Sequence, residues 1–322
     1  MYKKLLKLSI ILALIVVILG AYTRLADAGL GCPDWPGCYG QLTVPDAVDG
    51  TQLEGYDRPL ESAKGWKEMI HRYAASSLGL VILLLWWQAL KKRPLYRQSM
   101  PLPTFAAFFV MLQGAFGMWT VTLLVHPGIV TIHLLGGFIT TSVLFWLLLN
   151  QNRVSFVLSN ISKTNKLLLL TTLIVLFIQI ALGGWTSTNY AALSCGNQFP
   201  TCLDTWWPQT TLSQIFYWGP IGINYEYGVL DNATRAGIQM VHRIGALTTT
   251  VAIVFTILRF YQYRELRNHL KIIAVLLMMQ IALGITNVLQ SLPMTIAVLH
   301  NVVGLLLLLS VVSLIHKTFK CQ

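Results

Sequence analysis

The sequence predicts an all-α integral membrane protein of eight transmembrane helices, arranged as two tandem four-helix bundles in a parallel pseudo-two-fold repeat. Three observations carry this expectation. Of 322 residues, 55% are hydrophobic and 11% charged. Eight apolar runs approach the ~20 residues that cross a ~30 Å hydrocarbon core. The two halves of the chain also match each other, at an offset of roughly 163–171 residues, as an internal repeat of a membrane fold does.

The runs fall near 6–26, 68–90, 102–125, 128–150, 166–187, 236–260, 269–290 and 294–316. The first is preceded by Lys3, Lys4 and Lys7, and Ala26-Asp27-Ala28 after it resembles a weak cleavage site. Its counterpart in the second half argues that it is retained as a span. Lys91, Lys92, Arg93 and Arg97 close the second run. Arg153, Lys163 and Lys166 separate the fourth from the fifth, and Arg259, Arg264, Arg267 and Lys271 the sixth from the seventh. Lys317 and Lys320 follow the eighth, so sixteen of the 23 basic residues lie on alternate loops, with Glu265 the one acid among them. By the positive-inside rule these loops and both termini are cytoplasmic. The net charge of +11 then reflects topology and anionic lipid, with no nucleic-acid signal. No Arg- and Ser-rich transit segment precedes the first run, which favours a multi-pass protein of a bacterial plasma membrane.

The repeat divides the chain into an N-terminal half (1–150), a cytoplasmic linker (151–165) and a C-terminal half (166–316). Gly20-Ala21-Tyr22-Thr23 aligns with Gly183-Gly184-Trp185-Thr186, and Met69-Ile70-His71-Arg72 with Met240-Val241-His242-Arg243. Gln113 through Gly117 aligns with Gln280 through Gly284, and His133 with His300, with Gly136 and Gly304 following. Lipid gives no hydrophobic drive for helix association, so Gly114, Gly117, Gly136 and Gly137 are expected at close helix contacts. The long outer loops, 27–67 and 188–235, occupy equivalent places and are expected to be partly helical caps.

Four histidines carry the functional signal. His71, His133, His242 and His300 lie at similar depth in four different apolar helices, and an intramembrane imidazole needs a partner. Two pairs on facing helices are what two bis-imidazole heme irons require; hydrogen-bonded interhelical histidines are the bland alternative. His126, His269 and His316 have no repeat partners and read as interfacial or solvated residues. Arg72 and Arg243 each follow a ligand candidate, and are candidates for heme propionate contact or for snorkelling to headgroups. Glu68 lies one turn before His71, where its repeat counterpart is Gln239. A buried carboxylate there could act as a base, or simply favour a helix N-terminus.

Cys32 and Cys38, and Cys195 and Cys202, fall on the oxidising side, which predicts two local disulfides. Zinc is the competing reading, but neither loop supplies histidines at suitable spacing. The first pair could alternatively be redox-active. Cys321 is unpaired and cytoplasmic.

The run Gly29-Leu30-Gly31-Cys32-Pro33-Asp34-Trp35-Pro36-Gly37-Cys38, together with Glu68-Met69-Ile70-His71-Arg72, resembles the bacterial heme A synthase family over nearly the whole chain. The resemblance implies oxidation of a heme O methyl group to a formyl group by successive hydroxylations, for cytochrome oxidase assembly. It implies that His71 and His133 hold the substrate heme O, that His242 and His300 hold a heme b cofactor, and that Glu68 is catalytic. Two ligands on the substrate iron leave no position open for dioxygen, so either one histidine leaves or water attacks an oxidised methyl with Glu68 as base. Partners implied are the bilayer, the farnesyltransferase that makes heme O, an electron carrier the sequence does not identify, and a second copy in a homo-oligomer. The rival readings are a diheme cytochrome b exchanging electrons with quinol, a heme exporter, and a thiol–disulfide exchanger acting on quinone.

Overall fold

A computed structural model describes residues 2–91, 99–151 and 161–319. Lys92, Arg93, Arg97, Arg153, Lys320 and Cys321 lie outside the described residues, as does most of the 151–165 linker. The helices run α1 Tyr2–Leu25, α2 Ser62–Lys91, α3 Pro101–Thr122, α4 Pro127–Gln151, α5 Lys163–Thr188, α6 Leu212–Ile215, α7 Asn232–Phe260, α8 Arg267–Leu289 and α9 Met294–Phe319. All but α6 are long and apolar enough to cross a membrane, which gives the eight spans expected. Among the described residues β-pairing is confined to two isolated bridges.

Two helix starts lie further out than hydropathy places them. α2 begins at Ser62 and α7 at Asn232, ahead of the apolar runs, because polar first turns are capped by side chains. The Asp49 carboxylate accepts the Ser62 N–H at 2.8 Å, and hydrogen bonds from the Ser62 hydroxyl and N–H hold Asp49 below the usual carboxylate range. At α7, Asp231 accepts the Thr234 N–H at 2.9 Å and its hydroxyl at 2.8 Å. α3 and α4 open on Pro101 and Pro127, which spend no backbone donor at a position where none could be satisfied.

The chain forms two compact units. The first comprises Met1–Thr141 with Ser187–Tyr190 and Tyr217–Leu230. In it α1 packs on α2, and α2 on α3. Two of the four expected close-contact glycines serve that purpose. A Cβ on Gly136 would overlap the Gln113 amide and one on Gly117 would touch His133, whereas Gly114 and Gly137 face nothing within 4 Å. The segment Tyr217–Leu230 is tied down by Arg58, which donates to both Glu226 oxygens at 2.7 and 3.0 Å. It also encloses His126, which is fully buried between Trp218 and Tyr225 and accepts the Gly128 N–H at 3.2 Å.

The second unit comprises Ser142–Thr186, Ala191–Phe216 and Asp231–Gln322. Here α7 packs on α8 and α8 on α9, while the single turn of α6 lies on α7. The Thr172 and Thr256 hydroxyls meet at 2.7 Å, and Arg259 donates to Asn165 at 2.9 Å. His316 is buried, 2.9 Å from Asn150 and edge-on to Trp146. His269 reaches the Ser310 carbonyl at 2.8 Å. His126 and His316 are therefore buried and His269 partly buried, all three hydrogen-bonded, contrary to the solvated reading of them. Hydropathy places them near helix ends but does not reveal the aromatic and amide partners that enclose them.

The two outer loops differ from the helical caps expected. The first contains no helix, and the second contains only α6, closed by a capping box in which Thr211 and Gln214 satisfy each other's backbone N–H. The first loop instead docks by close backbone approach. A Cβ on Gly31 would fall 2.5–2.7 Å from the Lys64 and Gly65 backbone of α2, which cannot swing aside as a side chain would. Gly31→Ala is expected to cost about 1–3 kcal/mol and to lower the thermal unfolding midpoint in detergent. Gly114→Ala, facing open space, should leave that midpoint unchanged. Equal midpoints for the two variants would contradict this docking.

Candidate functional site

His71 stands on α2, His133 on α4, His242 on α7 and His300 on α9. Counted from the helix ends, His71 and His242 are about 14–15 Å in and the other two about 9 Å, at the ~1.5 Å helical rise. The equal depth seen in the sequence is thus measured from the edge of the apolar run, since α2 and α7 extend beyond it.

Each pair is brought together within one unit or the other. His71 and His133 both belong to the first unit, and His242 and His300 both belong to the second. A glycine on a neighbouring helix faces each ring. A Cβ on Gly20 would fall 2.9 Å from His71 Cε1, and one on Gly117 3.5 Å from His133 Cε1. Gly183 and Gly284 would each come 3.1 Å from Cε1 of His242 and His300. These glycines were visible in the repeat, but only the structure gives them a purpose: they clear one edge of four imidazoles.

The ring nitrogens are under-used. Nδ1 of His71, His133 and His300 is buried with no hydrogen-bond partner. Such atoms are costly in a protein interior and point to a missing interaction or a functional demand. His242 Nδ1 lies 3.0 Å from the Gln179 amide nitrogen. His300 Nε2 lies 3.2 Å from the Gln280 amide nitrogen, so that amide must yield before the atom can bind a metal. Two imidazoles in one unit are a donor set suited to a heme iron, and these residues fit that use.

Above each first histidine lies a disulfide loop. Cys32 is bonded to Cys38 and Cys195 to Cys202, with Cα–Cα distances of 4.7 and 4.6 Å. Both disulfides expected from the sequence form, and the zinc reading falls away. The loops are closed alike: Cys38 bridges Gln41 and Cys202 bridges Thr205. Asp34 shapes the first by accepting the Tyr39 and Gly40 N–H groups at 2.6 and 2.8 Å.

Glu68 and Gln239 do the same mechanical work. Glu68 accepts the Cys32 N–H at 2.9 Å, and Gln239 accepts the Cys195 N–H at 2.9 Å. Both are buried, 4% and 3% exposed. The difference lies in the second oxygen. Glu68 takes an ion pair from Arg72 at 2.6 Å, whereas Gln239 donates its amide to the Ala192 carbonyl at 2.7 Å.

Arg72 and Arg243 have a role that neither propionate contact nor snorkelling anticipated. Arg72 donates to the carbonyls of Asp34 at 2.9 Å and Pro36 at 3.3 Å, and to that of Gly37. Arg243 donates to those of Gln198, Pro200 and Thr201 at 3.0, 3.1 and 2.9 Å. Both guanidinium groups spend their terminal nitrogens clamping a disulfide loop onto the helix that carries the histidine. Sequence reasoning missed this because backbone carbonyls leave no signature in side-chain identity.

Among known proteins, residues 3–312 match the model of the COX15-CtaA family, described as cytochrome oxidase assembly protein. A heme A synthase of Shewanella oneidensis is 42% identical over 316 residues, covering 96% of this chain and 94% of that protein. Heme A synthases of Cereibacter sphaeroides and Halalkalibacterium halodurans are 26% and 24% identical, covering 91% and 90% of this chain and 81% and 87% of theirs. With the family model spanning nearly all of its length, the chain belongs to the COX15-CtaA family of cytochrome oxidase assembly proteins.

Proposed function

We propose that this protein is a heme A synthase, an oxidoreductase that turns one methyl group of heme O into the formyl group of heme A for cytochrome oxidase. The observation that carries the reading is the coincidence of two facts. A relative named heme A synthase aligns over 96% of the chain, and each unit carries two histidines on two of its membrane-spanning helices. The COX15-CtaA match gives no support to a quinol-linked diheme cytochrome b.

In this reading the N-terminal half, 1–150, is the substrate half, and His71 with His133 grips heme O. The C-terminal half, 166–316, is the cofactor half, and His242 with His300 holds heme b. When bound, heme b supplies one-electron relay. With water as the oxygen source, conversion of methyl to formyl consumes one water and releases four electrons and four protons, the electrons to an electron carrier. Glu68 is the group proposed to accept a proton beside the substrate. Each of its oxygens has a protein partner, yet a carboxylate has about four lone-pair sites, so capacity remains. The disulfide loop that Glu68 and Arg72 hold in place limits water at the outer end of α2. Both termini are proposed to lie on the cytoplasmic side of a bacterial plasma membrane, a reading supported by the basic loops, and the farnesyltransferase that makes heme O would hand it over within the bilayer.

Three measurements test these assignments. Hemes extracted from cells that make heme O, with and without this protein, should show formyl heme only with it; unchanged heme O rejects the activity. Glu68→Gln should keep its loop, because Gln239 performs the same bond in the repeat, and should keep its hemes. Product formation should fall about 10²–10⁴-fold, the usual worth of a proton-transfer group; full activity would remove Glu68 from the chemistry. Replacing His242 or His300 by alanine should abolish the low-spin heme b spectrum, and a normal spectrum would refute those ligands.

A further inference from the structure

The two imidazole pairs differ in one supporting residue. In the second unit Gln179, on α5, reaches across to α7. Its amide nitrogen lies 3.0 Å from His242 Nδ1 and donates to the His242 backbone carbonyl at 3.0 Å. Room for it is made by Gly245, where a Cβ would overlap the Gln179 amide oxygen. The repeat aligns Gln179-Ile180-Ala181-Leu182-Gly183 with Val16-Val17-Ile18-Leu19-Gly20, and His242-Arg243-Ile244-Gly245 with His71-Arg72-Tyr73-Ala74. The structure supports this register, since Gly20 and Gly183 face the same ring atom of His71 and His242. The first unit therefore has Val16 in place of the amide and Ala74 in place of the notch. In the first unit the His71 ring has the Val16 backbone carbonyl beside it as its acceptor, with no side-chain partner on Nδ1.

We propose that Gln179 is a positioning residue that holds His242 as a heme-iron ligand by a side-chain tether, and that the first unit, which lacks this tether, lets His71 exchange more readily. An amide in hydrocarbon is expensive, and this one occupies a space that only glycine at 245 permits. Its amide nitrogen sits against both the ring and the backbone carbonyl of His242. Nδ1 is turned toward Gln179, which leaves Nε2 as the ring nitrogen for metal. A ligating imidazole carries its proton on the far nitrogen and gives it to an acceptor. Gln179 Oε1 is buried without a partner, and a half-turn of the amide offers it to Nδ1 in exchange for the bond to the carbonyl. The chemical sense is division of labour. A heme that only relays electrons gains from fixed ligands, whereas a heme that enters as substrate and leaves as product needs a ligand that lets go.

The inference rests on the heme-ligand reading, and the test separates the two. Cyanide is added to the oxidised, heme-loaded protein, and displacement of axial histidine is followed optically. Two phases are expected, the slower from the second pair. Gln179→Met keeps the side-chain volume but removes the donor. It should speed the slow phase about tenfold, the lower end of the usual worth of such outer partners, with heme content unchanged. Val16→Gln combined with Ala74→Gly transplants the tether and should slow the fast phase by a similar factor. Unchanged phases in both variants, with heme retained, overturn the role of Gln179. A slow phase that persists in His242→Ala overturns the ligand assignment itself.

Discussion

A polar ring in hydrocarbon must be given a partner, and the architecture here follows from meeting that demand four times. Burying an imidazole nitrogen without a bond costs free energy on the scale of the whole net stability of a domain once several are summed. Yet Nδ1 of three of these four histidines has no protein partner. Four glycines are spent to let the rings stand where they do. Glycine is a poor choice for helix propensity alone, so these positions are explained by what they make room for. A bound heme iron would engage Nε2 of each ring, and Nδ1 would then carry the ring proton toward an acceptor.

The outer loops serve the same end from the solvent side. A disulfide, one arginine and one acid or amide fix each loop onto the helix bearing the first histidine of a pair. The charged version, Glu68 with Arg72, occurs in one unit, and the neutral version, Gln239, in the other. The scaffold therefore shows that the clamp needs a hydrogen-bond acceptor but no carboxylate. The carboxylate in the first unit is then explained by chemistry better than by stability. The contact on His242 continues the pattern: the units share a frame and differ at a few groups, the ones the proposed function assigns to a reacting site and a relay.

The spans, the disulfides and the grouping of the four histidines were legible in the sequence because hydropathy, compartment and internal repetition each leave a period or spacing. Helix starts at Ser62 and Asn232 were not, since they depend on Asp49 and Asp231 rather than on apolar pattern. His126, His269 and His316 were misread because their partners, Trp218, Ser310 and Asn150, are distant in the chain. Arg72 and Arg243 bind carbonyls, which any sequence presents. Gln179 did leave a mark, an unmatched amide inside an apolar span, and its meaning came from the notch at Gly245.

The central claim is that two imidazole pairs each grip one heme, and low-temperature electron paramagnetic resonance of the oxidised, fully loaded protein addresses it most directly. Two distinct low-spin ferric signals, each of the bis-imidazole type and in equal amount, are predicted. A single such signal, or a dominant high-spin signal in freshly purified protein, would contradict it.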